Sequence, residues 1–196
     1  MRGYSIVVVL LALGGACQPG REPPAPAAGS HAVPAGECDG PAVSPPPAAA
    51  AALPPRTGAM APDDRWADLA REAPGGFAGV LYDGGPVLML ARPEEAAAAK
   101  AALAPALPGF PVAAAEVRRA RWDFGQLVDW YNYMLLDAGV WGPGVVSGDK
   151  DEAANRLRFG VVDEAARARL IGALDALGVP CGLVLVDIRE PFRVGP

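Results

Sequence analysis

Side chains that could perform covalent chemistry are few in this sequence and do not form a catalytic set. The single histidine, His31, lies among prolines, so Ser147 has no histidine in the folded region to act as its base. Cys181 stands beside Gly, Leu and Val in a predicted strand, which is typical of a buried small hydrophobe and not of a reactive thiolate. No phosphate-binding or dinucleotide-binding glycine loop is present. We therefore predict a protein that is not an enzyme; a carboxylate-based hydrolase ranks last among the alternatives.

Metal and nucleic-acid binding are also disfavoured. Asp149, Asp151 and Glu152 form an acidic cluster, and carboxylate oxygens are ligands that calcium prefers. The cluster lacks the EF-hand pattern, and a solvated acidic loop is the favoured interpretation, so we predict no metal and no cofactor. The net charge of −5, without a dominant basic patch, argues against nucleic acid as a partner. Three cysteines are too few for a disulfide-dense scaffold or a four-cysteine zinc site.

The N-terminus has the pattern of an export signal. Arg2 provides a positive charge, and an apolar run of ten residues follows from Tyr4 to Leu13. The run is too short to span a membrane, which takes about 20 residues, but has the length of a signal-peptide core. The small residues before Cys17 complete a cleavage site. We therefore predict a signal peptide over residues 1–16.

The segment resembles a bacterial lipoprotein signal, although Gly14 stands where that family usually has leucine three residues before the cysteine. The resemblance implies that Cys17 becomes the lipidated N-terminus and binds the membrane. Because Gln18 is not Asp, it also implies retention at the outer membrane. An ordinary secretory signal would cut the same bond and release a soluble periplasmic or secreted protein.

Residues 17–62 form a tether in this interpretation. Residues 18–62 hold 12 of the 22 prolines and show no helical or strand periodicity. Such a segment buries too little apolar area to offset its ordering entropy, so we predict a disordered Pro/Ala-rich spacer. Cys38 lies in this spacer, whereas Cys181 begins a predicted buried strand. For that reason we expect no disulfide between these two cysteines.

From residue 63 to 196 the composition predicts a folded α+β domain with an internal duplication. Each half reads as a ββαβ unit, in which two strands precede a helix and a third strand follows it. In the first unit the predicted segments are Phe77–Tyr82, Val87–Ala91, a helix from Pro93 to Leu107, and Val112–Val117. In the second they are Gly144–Ser147, a charged loop over Gly148–Ala154, Asn155–Val162, a helix from Asp163 to Leu177, and Cys181–Ile188.

A constant offset of 69 residues superposes the two halves without a gap. It aligns Leu88 with Leu157, and it aligns the Gly-x-Pro at Gly109 with the one at Gly178. The predicted starts of the two helices, their predicted ends and the two Gly-x-Pro sequences fall at equivalent positions in this alignment. This agreement favours a true repeat over chance.

A helix over Trp122–Asp137 joins the two units. Asp123 and Gln126 resemble a capping box, and we expect this helix to fill the gap between the sheets. Its predicted apolar face comprises Phe124, Leu127, Val128, Tyr131, Met134 and Leu135. Trp130, Tyr133 and the nearby Trp141 fall outside that face. They are either further core residues or an exposed partner-binding patch.

This layout resembles the pro-regions of alpha-lytic-type bacterial serine proteases over roughly residues 76 to 190. The matching residues are Asp151-Glu152, Asn155-Arg156, Val161 and Gly178-Val179-Pro180. In that family the pro-region assists folding of the protease and then inhibits it. Since no protease domain follows before Pro196, the expected role here is one in trans.

The resulting hypothesis is a non-catalytic envelope lipoprotein whose domain binds a protein partner, with a secreted serine protease as the partner class. The alternative is a structural or accessory envelope lipoprotein without a defined binding pocket.

Overall fold

The computed structural model describes residues 42–45 and 62–190 of the 196-residue chain. In this part of the chain the protein is a mixed α+β structure with four α-helices and two three-stranded sheets. The predicted fold class is confirmed at that level. The predicted signal peptide, Cys17 and most of the predicted tether lie outside the described residues.

The first unit opens with helix α1 and a β-hairpin. The elements are α1 (Pro62–Glu72), β1 (Phe77–Tyr82), β2 (Pro86–Leu90), α2 (Ala96–Leu103) and β3 (Glu116–Arg119), with 3₁₀ turns at Pro93–Glu95 and Val112–Ala114. β1 pairs antiparallel with β2, and β3 returns parallel to β2. Gly84 has a φ of +67° in the hairpin turn, a conformation that glycine adopts without strain.

The second unit repeats this plan after helix α3 (Phe124–Leu135). Its elements are β4 (Val145–Asp151), β5 (Arg156–Val161), α4 (Glu164–Ala176) and β6 (Val184–Ile188). β4 pairs antiparallel with β5, and β6 lies parallel to β5. The order of strands and the sense of pairing are therefore the same in both sheets, as the predicted duplication requires.

The constant offset of 69 residues between the two units does not hold beyond helices α2 and α4. Leu88 pairs with Val117 and its counterpart Leu157 pairs with Val184, so the third strands differ by 67 positions. The helices differ in length, with 8 residues in α2 and 13 in α4. Pro105 and Pro108 cannot donate helical hydrogen bonds, so α2 ends before the predicted Leu107. The predicted strand start at Val112 is likewise wrong, because a 3₁₀ turn occupies that position.

The predicted charged loop at Gly148–Ala154 is also wrong over most of its length. β4 continues to Asp151, and only residues 152–155 turn the chain. Asn155 ends the turn with a φ of +53°, in the left-handed region that asparagine tolerates better than most residues. The charged residues of β4 escaped prediction because they interrupt the apolar pattern: Asp151 binds Arg158 of β5, and Lys150 Nζ lies 4.1 Å from the centroid of the Tyr131 ring.

Helix α3 contributes to two cores, as predicted. Its capping box is confirmed, since the Asp123 carboxylate accepts from the Gln126 backbone N–H and the Gln126 side chain accepts from the Asp123 N–H. Phe124 and Val128 pack in the first core, whereas Leu127, Trp130 and Met134 pack in the second. Because two sides are buried, the apolar surface is wider than one stripe.

Candidate functional site: a groove beside an edge strand

Trp130 and Tyr133 do not form an exposed patch. Trp130 is only 2% exposed, and its ring lies 5.7 Å from the half-buried ring of Tyr133. The Trp130 Nε1–H donates to the carbonyl oxygen of Val43 at 2.7 Å. Residues 42–45, which the sequence assigned to the tether, therefore lie against the domain. Trp130 is therefore a core residue, because α3 is buried on two sides.

Trp141 also packs on the second core, at another place. Its ring centroid lies 5.4 Å from that of Phe159, and the backbone of Gly148 passes directly beneath it. A Cβ at Gly148 would come within 2.6 Å of the Trp141 ring, so only glycine fits there. Tyr131 donates its hydroxyl hydrogen to the Gly148 carbonyl at 3.0 Å. Trp130 is thus a core residue, whereas Tyr133 and Trp141 are partly buried and pack against the same core.

A groove between α4 and β6 was not predicted. It has a volume of about 200 Å³ and a mostly apolar lining that includes Ile171, Leu174, Val179, Val184 and Val186. Arg167 and Asp175 place opposite charges at its margin. The alternation of apolar residues in β6 and the helical spacing of Ile171 and Leu174 would have placed these residues near one another. The sequence gives no sign that a gap remains between them.

The groove adjoins an open sheet edge. β6 is the last strand of the order β4–β5–β6, and no described strand pairs with its outer side. Backbone N–H and C=O groups of alternate residues point outward along such an edge. Two large aliphatic side chains, Ile171 and Ile188, are 43% and 46% exposed here. The described part of the chain thus combines unpaired backbone groups with adjacent apolar surface.

Ion pairs on the opposite face fix the position of β6. The Arg158 guanidinium on β5 binds Asp187 of β6 and also binds Asp151 of β4, with an Nη2–Oδ2 distance of 2.7 Å to Asp151. The hydrogen bond that Arg158 donates to Asp187 is the main reason that the pKa of Arg158 is raised above its usual value. Arg158 therefore remains charged and joins all three strands of the sheet.

One of these ion pairs involves Asp151, a residue of the acidic cluster that also contains Asp149 and Glu152. Asp151 is bound by Arg158, and the carboxylate of Asp149 accepts from the Lys150 N–H. Within residues 42–45 and 62–190, no three His, Cys, Asp or Glu side chains are grouped so that they could hold a metal ion.

Cys181 differs from its prediction in its position. It is exposed in the turn before β6, at the end of the groove, and is not buried in a strand. It is also disulfide-bonded to a residue outside the described part of the chain, so the absence of a bond between Cys38 and Cys181 stays a prediction. The predicted burial of Cys181 is wrong because the strand begins three residues later, at Val184. The two other cysteines of the chain, Cys17 and Cys38, lie outside the described residues.

Comparisons with known proteins add no functional assignment. No protein-family model matches the sequence. No curated protein matches it either. Among the described helices, none is long and apolar enough to cross a membrane.

Proposed function

We propose that the protein is an exported lipoprotein of the cell envelope whose domain binds an extended segment of a partner protein along β6. The observation that carries this proposal is the groove beside the open edge of that strand. The partner class that we favour is a secreted serine protease, because the sequence resembles protease pro-regions. The alternative is an accessory envelope protein that uses no such groove.

The geometry of the edge favours an extended peptide. A strand added to a sheet edge gains main-chain hydrogen bonds, and pockets beside the edge select its alternate side chains. Val184 and Val186 form part of the groove wall, and the polar side chain of Asp187 is held on the opposite face by Arg158. We infer that an apolar side chain of the partner enters the groove while its backbone pairs with β6.

Export is supported by two independent features. The N-terminal run before Cys17 has the pattern of a lipoprotein signal. The disulfide at Cys181 is of a kind that persists in oxidising compartments and is rare in the cytosol. Stable membrane attachment takes more than one acyl chain, so mass spectrometry of the mature N-terminus should find several on Cys17. An unmodified Cys17 would contradict the anchor and leave a secreted or periplasmic protein.

The binding surface is tested by a matched pair of substitutions in the detergent-solubilised full chain. Ile171→Lys places a charge at the groove, whereas Leu136→Lys changes an aliphatic residue of similar exposure, 49% against 43%, that is not part of the groove lining. The readout is inhibition of purified secreted serine proteases of the alpha-lytic type.

We expect inhibition at micromolar concentration or below by the unmodified chain and by Leu136→Lys. Ile171→Lys should inhibit at least tenfold more weakly with an unchanged melting temperature. Equal weakening by both variants would contradict the groove as the binding site. No inhibition by a folded chain would overturn the protease proposal and favour the accessory role.

A further inference from the structure

Hydrogen bonds at the two ends of β6 show which of its backbone groups face the open edge of the sheet. The Leu157 N–H donates to the Leu183 carbonyl at 2.9 Å, and the Arg189 N–H donates to the Val161 carbonyl at 2.7 Å. Odd-numbered residues therefore bond to β5. Since successive residues of a strand point their backbone groups to opposite sides, the even-numbered ones face the open edge. These edge residues are Val184, Val186 and Ile188.

The edge residues have apolar, β-branched side chains on the core face of the sheet. Their partners on β5 are Leu157, Phe159 and Val161, all 0% exposed. Ile171 of α4 is 43% exposed and lines the groove on the same face. A strand that bonds to the outward backbone groups places every second side chain on this face as well. The edge therefore fits a strand with apolar residues at alternate positions.

The β6 strand of a second copy has this pattern, because its edge residues alternate with Leu185 and Asp187. An antiparallel pairing centred on Val186 sets Val186 against its own counterpart and Val184 against Ile188 of the second copy. These are hydrogen-bonded pairs, in which the two residues exchange both N–H···O bonds. The edge is therefore self-complementary, as a two-fold symmetric interface requires.

The charges at the groove margin also favour the antiparallel arrangement. Arg167 and Asp175 lie eight residues apart on α4, which separates them by about 12 Å along the helix. In an antiparallel pair the two copies of α4 run in opposite directions, so the Asp175 end of one lies beside the Arg167 end of the other. Like charges are thereby kept apart. Between them Ala168 and Gly172 are small and exposed, and a Cβ at Gly172 would meet no atom within 4 Å.

We propose that two copies of this chain pair antiparallel along β6, which joins their three-stranded sheets into one six-stranded sheet. The proposal does not rest on the proposed function, because the chain itself fills the edge and no protease is needed. A partner segment would require the same backbone groups. Formation of the dimer would therefore compete with binding of that segment.

Sedimentation equilibrium of the detergent-solubilised full chain tests the dimer. The mass should rise from one chain towards two between micromolar and millimolar concentration. Ile188→Pro removes an outward N–H without the loss of an internal hydrogen bond, and should weaken the dimer at least about tenfold with little change in melting temperature. Ile188→Thr keeps the N–H and the β-branched shape, and should weaken it less. Leu136→Lys, outside the groove lining, is the control and should leave it unchanged.

A folded native chain that stays monomeric at millimolar concentration would overturn the proposal. Equal weakening by the two Ile188 variants would contradict pairing through the main chain, and no effect of either would show that the copies meet elsewhere. Two copies that merely share a detergent micelle would not respond to these substitutions. A dimer that inhibits no protease would contradict the proposed function alone, whereas a monomer that inhibits would contradict the dimer alone.

Amide hydrogen exchange, followed by NMR at low and high protein concentration, tests the register without any substitution. The N–H groups of Val184, Val186 and Ile188 should exchange more slowly at high concentration, because they become hydrogen-bonded in the dimer. The N–H groups of Leu185 and Asp187 face β5 and should change little. Exchange at Val186 that does not depend on concentration would contradict the pairing.

Discussion

Asn155 joins the two units through its side chain. Its Oδ1 accepts the backbone N–H groups of Arg121 and Trp122, and its Nδ2 donates to the Trp122 carbonyl, all at 2.8 Å. The residue is 6% exposed and has a positive φ. The turn between β4 and β5 is thereby fixed to the segment that enters α3.

Replacement of Asn155 should therefore be costly. Asn155→Ala removes three buried hydrogen bonds and retains a strained backbone, so we expect a loss of about 3 kcal/mol in the free energy of unfolding. Asn155→Gly removes the same bonds but relieves the strain, and should cost about 1 kcal/mol less. Urea unfolding measures both losses. Equal losses for the two variants would contradict the role of the backbone conformation, and negligible losses would contradict the role of the hydrogen bonds.

Glu95 provides a pH-dependent contact in the first unit. Its carboxylate accepts from Arg92 Nε and from the Gly75 N–H, both at 2.7 Å. The hydrogen bond from Arg92, followed by that from Gly75, lowers the pKa of Glu95 below its ordinary value of 4.5. A carboxyl with a lowered pKa in the folded state stabilises the protein above its unfolded pKa and loses that effect as the pH falls.

We expect Glu95→Gln to melt at a lower temperature than the native protein at pH 7. The difference should shrink as the pH falls below 4.5 through the folded-state pKa, because both proteins then carry a neutral side chain. Glu94→Gln is the control, since Glu94 has only a 3.4 Å contact with Arg119 and both side chains are largely exposed. Melting curves between pH 3 and 7 give the answer; a difference that does not vary with pH would contradict this assignment.

At the scale of elements, α3 is a helix with one fully buried and one exposed leucine. Leu127 is 0% exposed and packs in the second core, whereas Leu135 is 44% exposed near the C-terminal end. Leu127→Ala should cost about 3 kcal/mol because it leaves a cavity. Leu135→Ala should cost less than about 0.5 kcal/mol. Chemical denaturation of the two variants measures both values, and similar losses would mean that the helix is oriented differently.

Elements with strong local signals were predictable from sequence. β1 has its predicted limits, and the caps Asp123 and Asp163 start α3 and α4 as expected. These features depend on alternation and on side chains that bond to their own backbone. The charged end of β4 was not predictable, because Asp151 is stabilised by Arg158, a partner on another strand. The groove depends on contacts distant in sequence, which local patterns do not encode.

At the scale of the whole molecule, helix α3 connects the two units. Phe124 and Val128 pack in the first core, whereas Leu127 and Trp130 pack in the second. The Asn155 side chain adds hydrogen bonds between the second hairpin and the segment that enters α3. Because both cores share this helix, we expect the two units to unfold in one cooperative transition.

This cooperativity can be measured by calorimetry of the full chain. The calorimetric and van't Hoff enthalpies should agree, because a single transition has no populated intermediate. Leu127→Ala should lower the melting temperature of the whole transition without splitting it, although Leu127 packs in the second core. Leu135→Ala is the control and should leave the transition nearly unchanged. Two separate transitions would contradict coupling of the units through α3.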